Sequence, residues 1–238
     1  MHRVSSIAVA LFGLLVRPAE VHADCVVLLH GLARSSKSMV KLETAFHARG
    51  YNVANVDYPS REKPIQELSR IAISSGLETC NTRPEGRVHF VTHSMGGILI
   101  RHYLENYEIE NLGHVVMIAP PNQGSEVVDS FAKVPGFGLV NGPAGLQLGT
   151  GKDSIPLKLG PVDYSVGVIA GTKTLNPVLS QSLPNPDDGK VSVESTKVAG
   201  MADFRLVAAS HPFIMQDETA IRHAIAFIET GAFLEDAP

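Results

Sequence analysis

Apolar residues along the chain switch between two spacings. Cys25-Val26-Val27-Leu28-Leu29 is an unbroken apolar run, the pattern of a strand covered on both faces of a parallel sheet. Beyond it, Met39, Leu42 and Phe46 recur at helical spacing, with Ser35-Ser36 as caps and Gly50 where a stop belongs. Tyr51 to Val56 reads as a second strand. Pro64 opens a helix with Ile65, Leu68, Ile71 and Ala72 on one side. Val88 to Thr92 is a third strand, followed with almost no loop by a helix from Met95 to about Tyr107. Val115 to Ala119 is a fourth. The strand pattern returns at Val166 to Ala170 and Arg205 to Ala209. A last helix puts Ile221, Ala224, Ile225 and Ile228 on its inner face and ends at Gly231.

Strand and helix alternate, which predicts a mostly parallel central sheet with helices on both faces. The regularity breaks after Pro120-Pro121. Residues 134–163 are rich in Gly and Pro, too irregular for core elements, and predict a small irregular cap spanning about 125–163. Phe137, Leu139, Val140, Leu146 and Leu148 are too apolar for a wholly solvated loop. They predict either the wall of a pocket or a satellite core.

The N-terminus has a different pattern. Met1-His2-Arg3 is basic, Val4 to Val16 is mostly apolar, and Val21-His22-Ala23 offers small residues before Asp24. This predicts a secretory signal peptide over residues 1–23, leaving a single mature domain over 24–238 in the periplasm or outside the cell. The alternative is an N-terminal element of the fold. A span needs about 20 apolar residues, so no stable membrane anchor is expected. In an oxidising compartment the two cysteines, Cys25 and Cys80, read as a disulfide, with buried free thiols as the alternative. They form no CxxC or other metal-ligand cluster, so no metal is expected. The net charge of −4 gives no electrostatic reason to expect a nucleic-acid partner.

Chemistry concentrates in His89-Phe90-Val91-Thr92-His93-Ser94-Met95-Gly96-Gly97, where a serine sits on a tight strand-to-helix turn. Such a turn lifts the hydroxyl above the carboxyl end of the sheet. Residues two before and two after the serine must be small. Gly96 meets this, whereas Thr92 stands where G-x-S-x-G has its first glycine. A nucleophilic serine needs two N–H donors for the oxyanion. Met95 at the helix start supplies one, and Leu32, after His30-Gly31 at the end of the first strand, is the natural second. The base and acid follow in the order serine, acid, histidine. His211 directly follows the last strand, and His223, mid-helix, reads as a surface or packing residue. Asp187-Asp188-Gly189 supplies the acid. Asp188 is the better candidate, with Asp187 left to face solvent or cap the turn and Asp203 and Glu194 next in order.

From Cys25 to about Phe233 the chain resembles bacterial α/β-hydrolases of the lipase and esterase kind. Thr92-His93-Ser94-Met95-Gly96-Gly97 resembles their nucleophile elbow. Pro121-Asn122-Gln123-Gly124-Ser125 is similar to their segment after the next strand, Asp188-Gly189-Lys190-Val191 to their acid loop, and Ser210-His211 to their histidine position. The stretch from Gly171 to Pro186 is longer than in many members. The resemblance implies the α/β-hydrolase fold and hydrolysis of a small-molecule or lipid ester through an acyl-enzyme, without a cofactor. Some such lipases carry a structural calcium, but the chain shows no dense carboxylate loop that would demand one. An acyltransferase, thioesterase or amidase would use the same residues, and a binding protein on this fold would lack one of them.

Overall fold

The computed structural model describes residues 23–80, 86–175 and 177–235. Apart from Ala23, the expected leader lies outside the described residues. Six parallel strands form one sheet in the order β2-β1-β3-β4-β5-β6. They are β1 (Cys25–Leu29), β2 (Asn52–Val56), β3 (Val88–His93), β4 (Leu112–Ile118), β5 (Val166–Gly171) and β6 (Asp203–Val207). From β1 the chain steps outward to β2 and then returns to place β3 on the other side of β1. Strand order reverses between β1 and β3, and in open sheets of this kind ligands bind at the carboxyl ends beside that reversal.

Strand residues alternate between two apolar cores, one on each face. Cys25, Val27, Leu29, Phe90, Val115, Met117 and Val168 belong to one core. Val26, Leu28, Val91, Val116, Ile118 and Ile169 belong to the other. The first face is covered by α2 (Ile65–Thr79), through Ile65, Leu68, Ala72 and Ile73, and by α3 (Met95–Asn106), through Ile98 and Leu99. The second is covered by α1 (Val40–His47) and the last helix, α9 (Glu218–Thr230), whose inner face is the one expected and whose C-cap is left-handed Gly231. A disulfide joins Cys25, at the start of β1, to Cys80, the C-cap of α2.

The departures from expectation have local causes. Ser35 caps nothing with its side chain, and the Asp57 carboxylate after β2 instead accepts the Ser36 N–H at 3.0 Å. A 3-10 turn over Ser36–Met39 then leads into α1. Ile71 is 36% exposed, because α2 packs through Ser69, Ile73 and Gly76 instead. The sixth strand is shifted two residues toward the N-terminus of the expected Arg205 to Ala209. The Ala209 N–H turns back onto the Val207 carbonyl, which takes the chain out of the sheet. The excursion after β4 is more regular than expected. It holds α4 (Glu126–Phe131), α5 (Phe137–Leu146), which is broken at left-handed Gly142, and α6 (Ile155–Lys158). Two further short helices, α7 (Pro177–Ser180) and α8 (Val193–Thr196), lie between β5 and β6. No helix among the described residues is long and apolar enough to cross a membrane.

Candidate active site

Ser94 lies between β3 and α3 with φ 54° and ψ −121°, a conformation that a residue with a Cβ rarely adopts. Holding it costs on the order of 1–3 kcal/mol, which the surroundings must offset. The Ser94 N–H donates to the Ile118 carbonyl of β4 at 2.8 Å, and its own carbonyl accepts the Gly97 N–H at 2.9 Å. The turn is clamped on both sides. A Cβ on Gly96 would lie 2.7 Å from the Leu29 carbonyl oxygen, so α3 and β1 nearly touch there. Thr92, in the glycine position, is fully buried, and its hydroxyl is satisfied by donating to the Val116 carbonyl at 3.3 Å.

The structure brings Ser94, His211 and Asp188 into one hydrogen-bonded chain. The Ser94 hydroxyl meets His211 Nε2 at 3.0 Å, and His211 Nδ1–H donates to Asp188 Oδ2 at 2.7 Å. Asp188 and His211 are buried, while Ser94 is partly open. The other Asp188 oxygen accepts the N–H groups of Lys190 and Val191 at 3.0 and 2.9 Å, and the His211 N–H donates to the Asp188 carbonyl. Both carboxylate oxygens are therefore engaged, one by its own loop and the other by His211.

Of the two roles expected for Asp187, facing solvent or capping the turn, the structure shows the second. Asp187 is buried, with its carboxylate accepting the Ser180 hydroxyl at 2.6 Å and the Gly189 N–H at 2.7 Å. Asp203 accepts from the backbone of Phe204 and Phe233, and Glu194 pairs with Lys197, so neither serves His211. His223 is buried with its ring edge-on to Phe233, a packing residue.

The register pairs Leu29 with Thr92, so the loop after β1 runs beside the Ser94 turn. Gly31 is required there, because a Cβ would come within 2.8 Å of His93 Nδ1. Among the described residues, neither the Leu32 nor the Met95 N–H is taken up by a backbone carbonyl. Two groups that sequence reasoning missed fix this loop. Tyr58, buried and stacked on His30, donates its hydroxyl to the His30 carbonyl. Ser60 accepts the Ala33 N–H at 3.1 Å. Both follow β2 at the carboxyl edge of the sheet, the one signal that could have found them. His93 was missed as well. It is buried, burial holds its ring well below the usual histidine range, and Nε2–H donates to the His211 carbonyl at 3.1 Å.

A cavity of about 490 Å³ opens at Ser94 and His211. Val127, Val128, Phe131, Phe137, Val140 and Leu148 contribute to its apolar wall, so the excursion after β4 covers the site. Leu139 and Leu146, expected in a pocket wall or a satellite core, are instead exposed, Leu139 to 89%. Buried Arg101 of α3 ties the excursion to the body, donating to the carbonyls of Asn122, Leu159 and Gly160. Among the described residues no group of three or more His, Cys, Asp or Glu is arranged to hold a metal ion.

A family model described as "Alpha/beta hydrolase family" matches residues 26–213. No curated protein matches the chain in sequence. Among solved structures the chain is similar to the mature form of a lipase from Bacillus licheniformis, at 18% identity and TM-score 0.66, over 92% of this chain and 95% of that one. It is similar to a phospholipase from Legionella pneumophila at 19% identity and TM-score 0.67, over 84% of this chain and 57% of the other. An esterase from Exiguobacterium antarcticum matches at 14% identity and TM-score 0.58, over 88% and 93%. At such identities the likeness is one of fold.

Proposed function

The chain belongs to the alpha/beta hydrolase family, and on that footing we propose that it is a serine hydrolase of carboxylic esters, working through an acyl-enzyme on Ser94. The observation that carries this reading is the chain from Ser94 Oγ to His211 Nε2 and from His211 Nδ1 to Asp188, on a backbone strained at Ser94 alone of the three. His211 takes the Ser94 proton as the hydroxyl oxygen attacks the ester carbonyl, and Asp188 holds the imidazole in the tautomer with its proton on Nδ1. The N–H groups of Met95 and Leu32 receive the oxyanion. His211 then protonates the leaving alcohol, and water, activated by the same imidazole, releases the acid.

The likeness in fold to proteins described as lipases and an esterase supports this reading. The excursion from about 125 to 163 acts as a cap over the acyl chain, within a hydrolase domain spanning 24–238. The disulfide supports an oxidising location, periplasmic or extracellular, reached by cleavage after Ala23. Hydrolysis of 4-nitrophenyl esters of graded chain length tests the activity. Ser94→Ala should lower turnover by a factor on the order of 10⁴ or more, and a fluorophosphonate should label Ser94. Labelling at Ser125 or Ser210, or undiminished turnover in Ser94→Ala, would refute the assignment.

A further inference from the structure

We infer that Arg34 and Lys190 form an anion subsite for the alcohol part of the substrate, so that the preferred ester has a phosphate-bearing alcohol. This rests on the ester-hydrolase reading above. The direction comes from the chemistry of the general acid. The leaving oxygen must meet His211 Nε2–H to be protonated as the carbon–oxygen bond breaks, so the alcohol departs on the His211 side of Ser94. The acyl chain then extends away from His211, into the apolar wall.

The cavity is asymmetric in the same sense. Arg34 and Lys190 line it together with His211 and Pro212. Arg34 Nη2 donates to the carbonyl of Pro212, the residue after His211, at 3.4 Å. The Lys190 N–H donates to Asp188 Oδ1, on the carboxylate whose other oxygen holds His211. The Arg34 guanidinium and the Lys190 backbone are thus tied to the segment that carries the histidine and to its acid, and both side chains line the cavity there, while the apolar wall comes mostly from α4 and α5.

The nearest acid, Asp188, is committed to His211 and to the N–H groups of its own loop. Among the described residues lining the cavity none is acidic, and neither Arg34 nor Lys190 takes part in an ion pair. Each works against the other. The Lys190 ammonium is pulled below the usual lysine range first by burial and then by the Arg34 guanidinium, with Asp188 acting in the opposite sense. Two like charges at the mouth of an apolar cavity are unfavourable when it is empty and favourable when an anion enters. A guanidinium fork with a neighbouring ammonium matches the oxygens of a phosphate. A neutral alcohol would leave both cations unmatched, and a cationic alcohol would be repelled.

Three esters of one acyl chain test this: decanoyl glycerol, decanoyl glycerol 3-phosphate and decanoyl choline. The expected order of kcat/KM is phosphate, then glycerol, then choline, with roughly tenfold or more between the first and last at low salt. That advantage should shrink as ionic strength rises. Arg34→Gln and Lys190→Gln should each lower the phosphate-to-glycerol ratio by about fivefold or more, and Lys190→Glu should bring it below one. The apolar wall predicts that acetyl glycerol 3-phosphate is cleaved more slowly than the decanoyl ester, which separates a lipid substrate from a small phosphorylated one. Equal kcat/KM for the three decanoyl esters, or ratios unmoved by the substitutions, would overturn the subsite. Calorimetry on Ser94→Ala supplies a readout without turnover. Decyl phosphate should bind more tightly than decanol, and Arg34→Gln in the same background should remove the difference. Equal binding would overturn the subsite. An inert wild-type protein that binds decyl phosphate through these cations would keep the subsite and overturn the hydrolase reading. An active enzyme indifferent to charge would do the reverse.

Discussion

Among single residues, the two adjacent aspartates show most clearly how one position acquires a role. Asp188 spends one oxygen on two backbone N–H groups and keeps the other for His211. Asp188→Asn should keep the turn, but its amide can place an N–H donor against His211 Nδ1 and so favour the wrong tautomer. Turnover should fall by about 10⁴ in an ester assay while the melting temperature changes little. Asp187→Asn should do the opposite, with turnover within about tenfold of wild type. Weakening the buried bonds from Ser180 and Gly189 should cost roughly 1–3 kcal/mol in urea unfolding. Ser94 and His211 were legible because each comes within a few residues of a strand's end, at the same end of the sheet. The burial of Asp187 was not, because an antiparallel bridge to Ser192 closes the loop over it, and nothing local signals that pairing. The roles of Tyr58 and His93 were equally hidden. Their partners, the carbonyls of His30 and His211, are distant in sequence and have no side-chain signature.

Among the elements, the close approach of α3 to β1 holds the site together. Gly96 has the Leu29 carbonyl 2.7 Å and the His30 carbonyl 3.1 Å from where a Cβ would stand. Gly96→Ala must push the start of α3 away from β1, and the Met95 N–H moves with it relative to Leu32. We expect kcat/KM to fall roughly a hundredfold, as for loss of an oxyanion donor. The accompanying destabilisation of about 1–3 kcal/mol should appear in the same protein's unfolding curve. A Gly96→Ala enzyme with unchanged kcat/KM would mean that this contact does not set the oxyanion geometry. β1 and β5 were readable from their apolar runs, and β3 from its apolar core Phe90-Val91 despite the buried polar residues His89, Thr92 and His93. The excursion after β4 was not. Its helices are short, Gly142-Pro143 breaks the period of α5, and its apolar residues divide between the cavity and solvent, as Val140 and Leu139 show.

At the scale of the whole molecule, the amino end of the sheet carries two features that respond to different conditions. At the amino end the disulfide closes a loop with a sequence separation of 55. In the chain-entropy model this stabilises the fold by about 4 kcal/mol, so the Cys25→Ser/Cys80→Ser protein should unfold at correspondingly lower urea. The same end carries a buried histidine that makes stability depend on pH. His89 Nδ1 accepts the His114 N–H at 2.9 Å, while Nε2 faces Asp24 at 3.5 Å. Burial, only partly opposed by Asp24, lowers its pKa to about 4. Burial also lowers His30, His93, His102 and His114 below the usual histidine range. In the unfolded chain these rings take up protons near pH 6.5, whereas the folded protein resists until more acid conditions. The unfolded state therefore binds more protons as pH falls from about 6.5 to about 4. Folding stability should be greatest above that window and decline steadily through it, with His89 accounting for on the order of 3 kcal/mol. Urea midpoints at pH 8, 6.5, 5.5 and 4.5 measure the slope. In His89→Gln, whose amide oxygen can still accept the His114 N–H, the decline should be shallower even if the midpoint at pH 8 is lower. A slope equal to wild type would show that His89 is not the group that titrates.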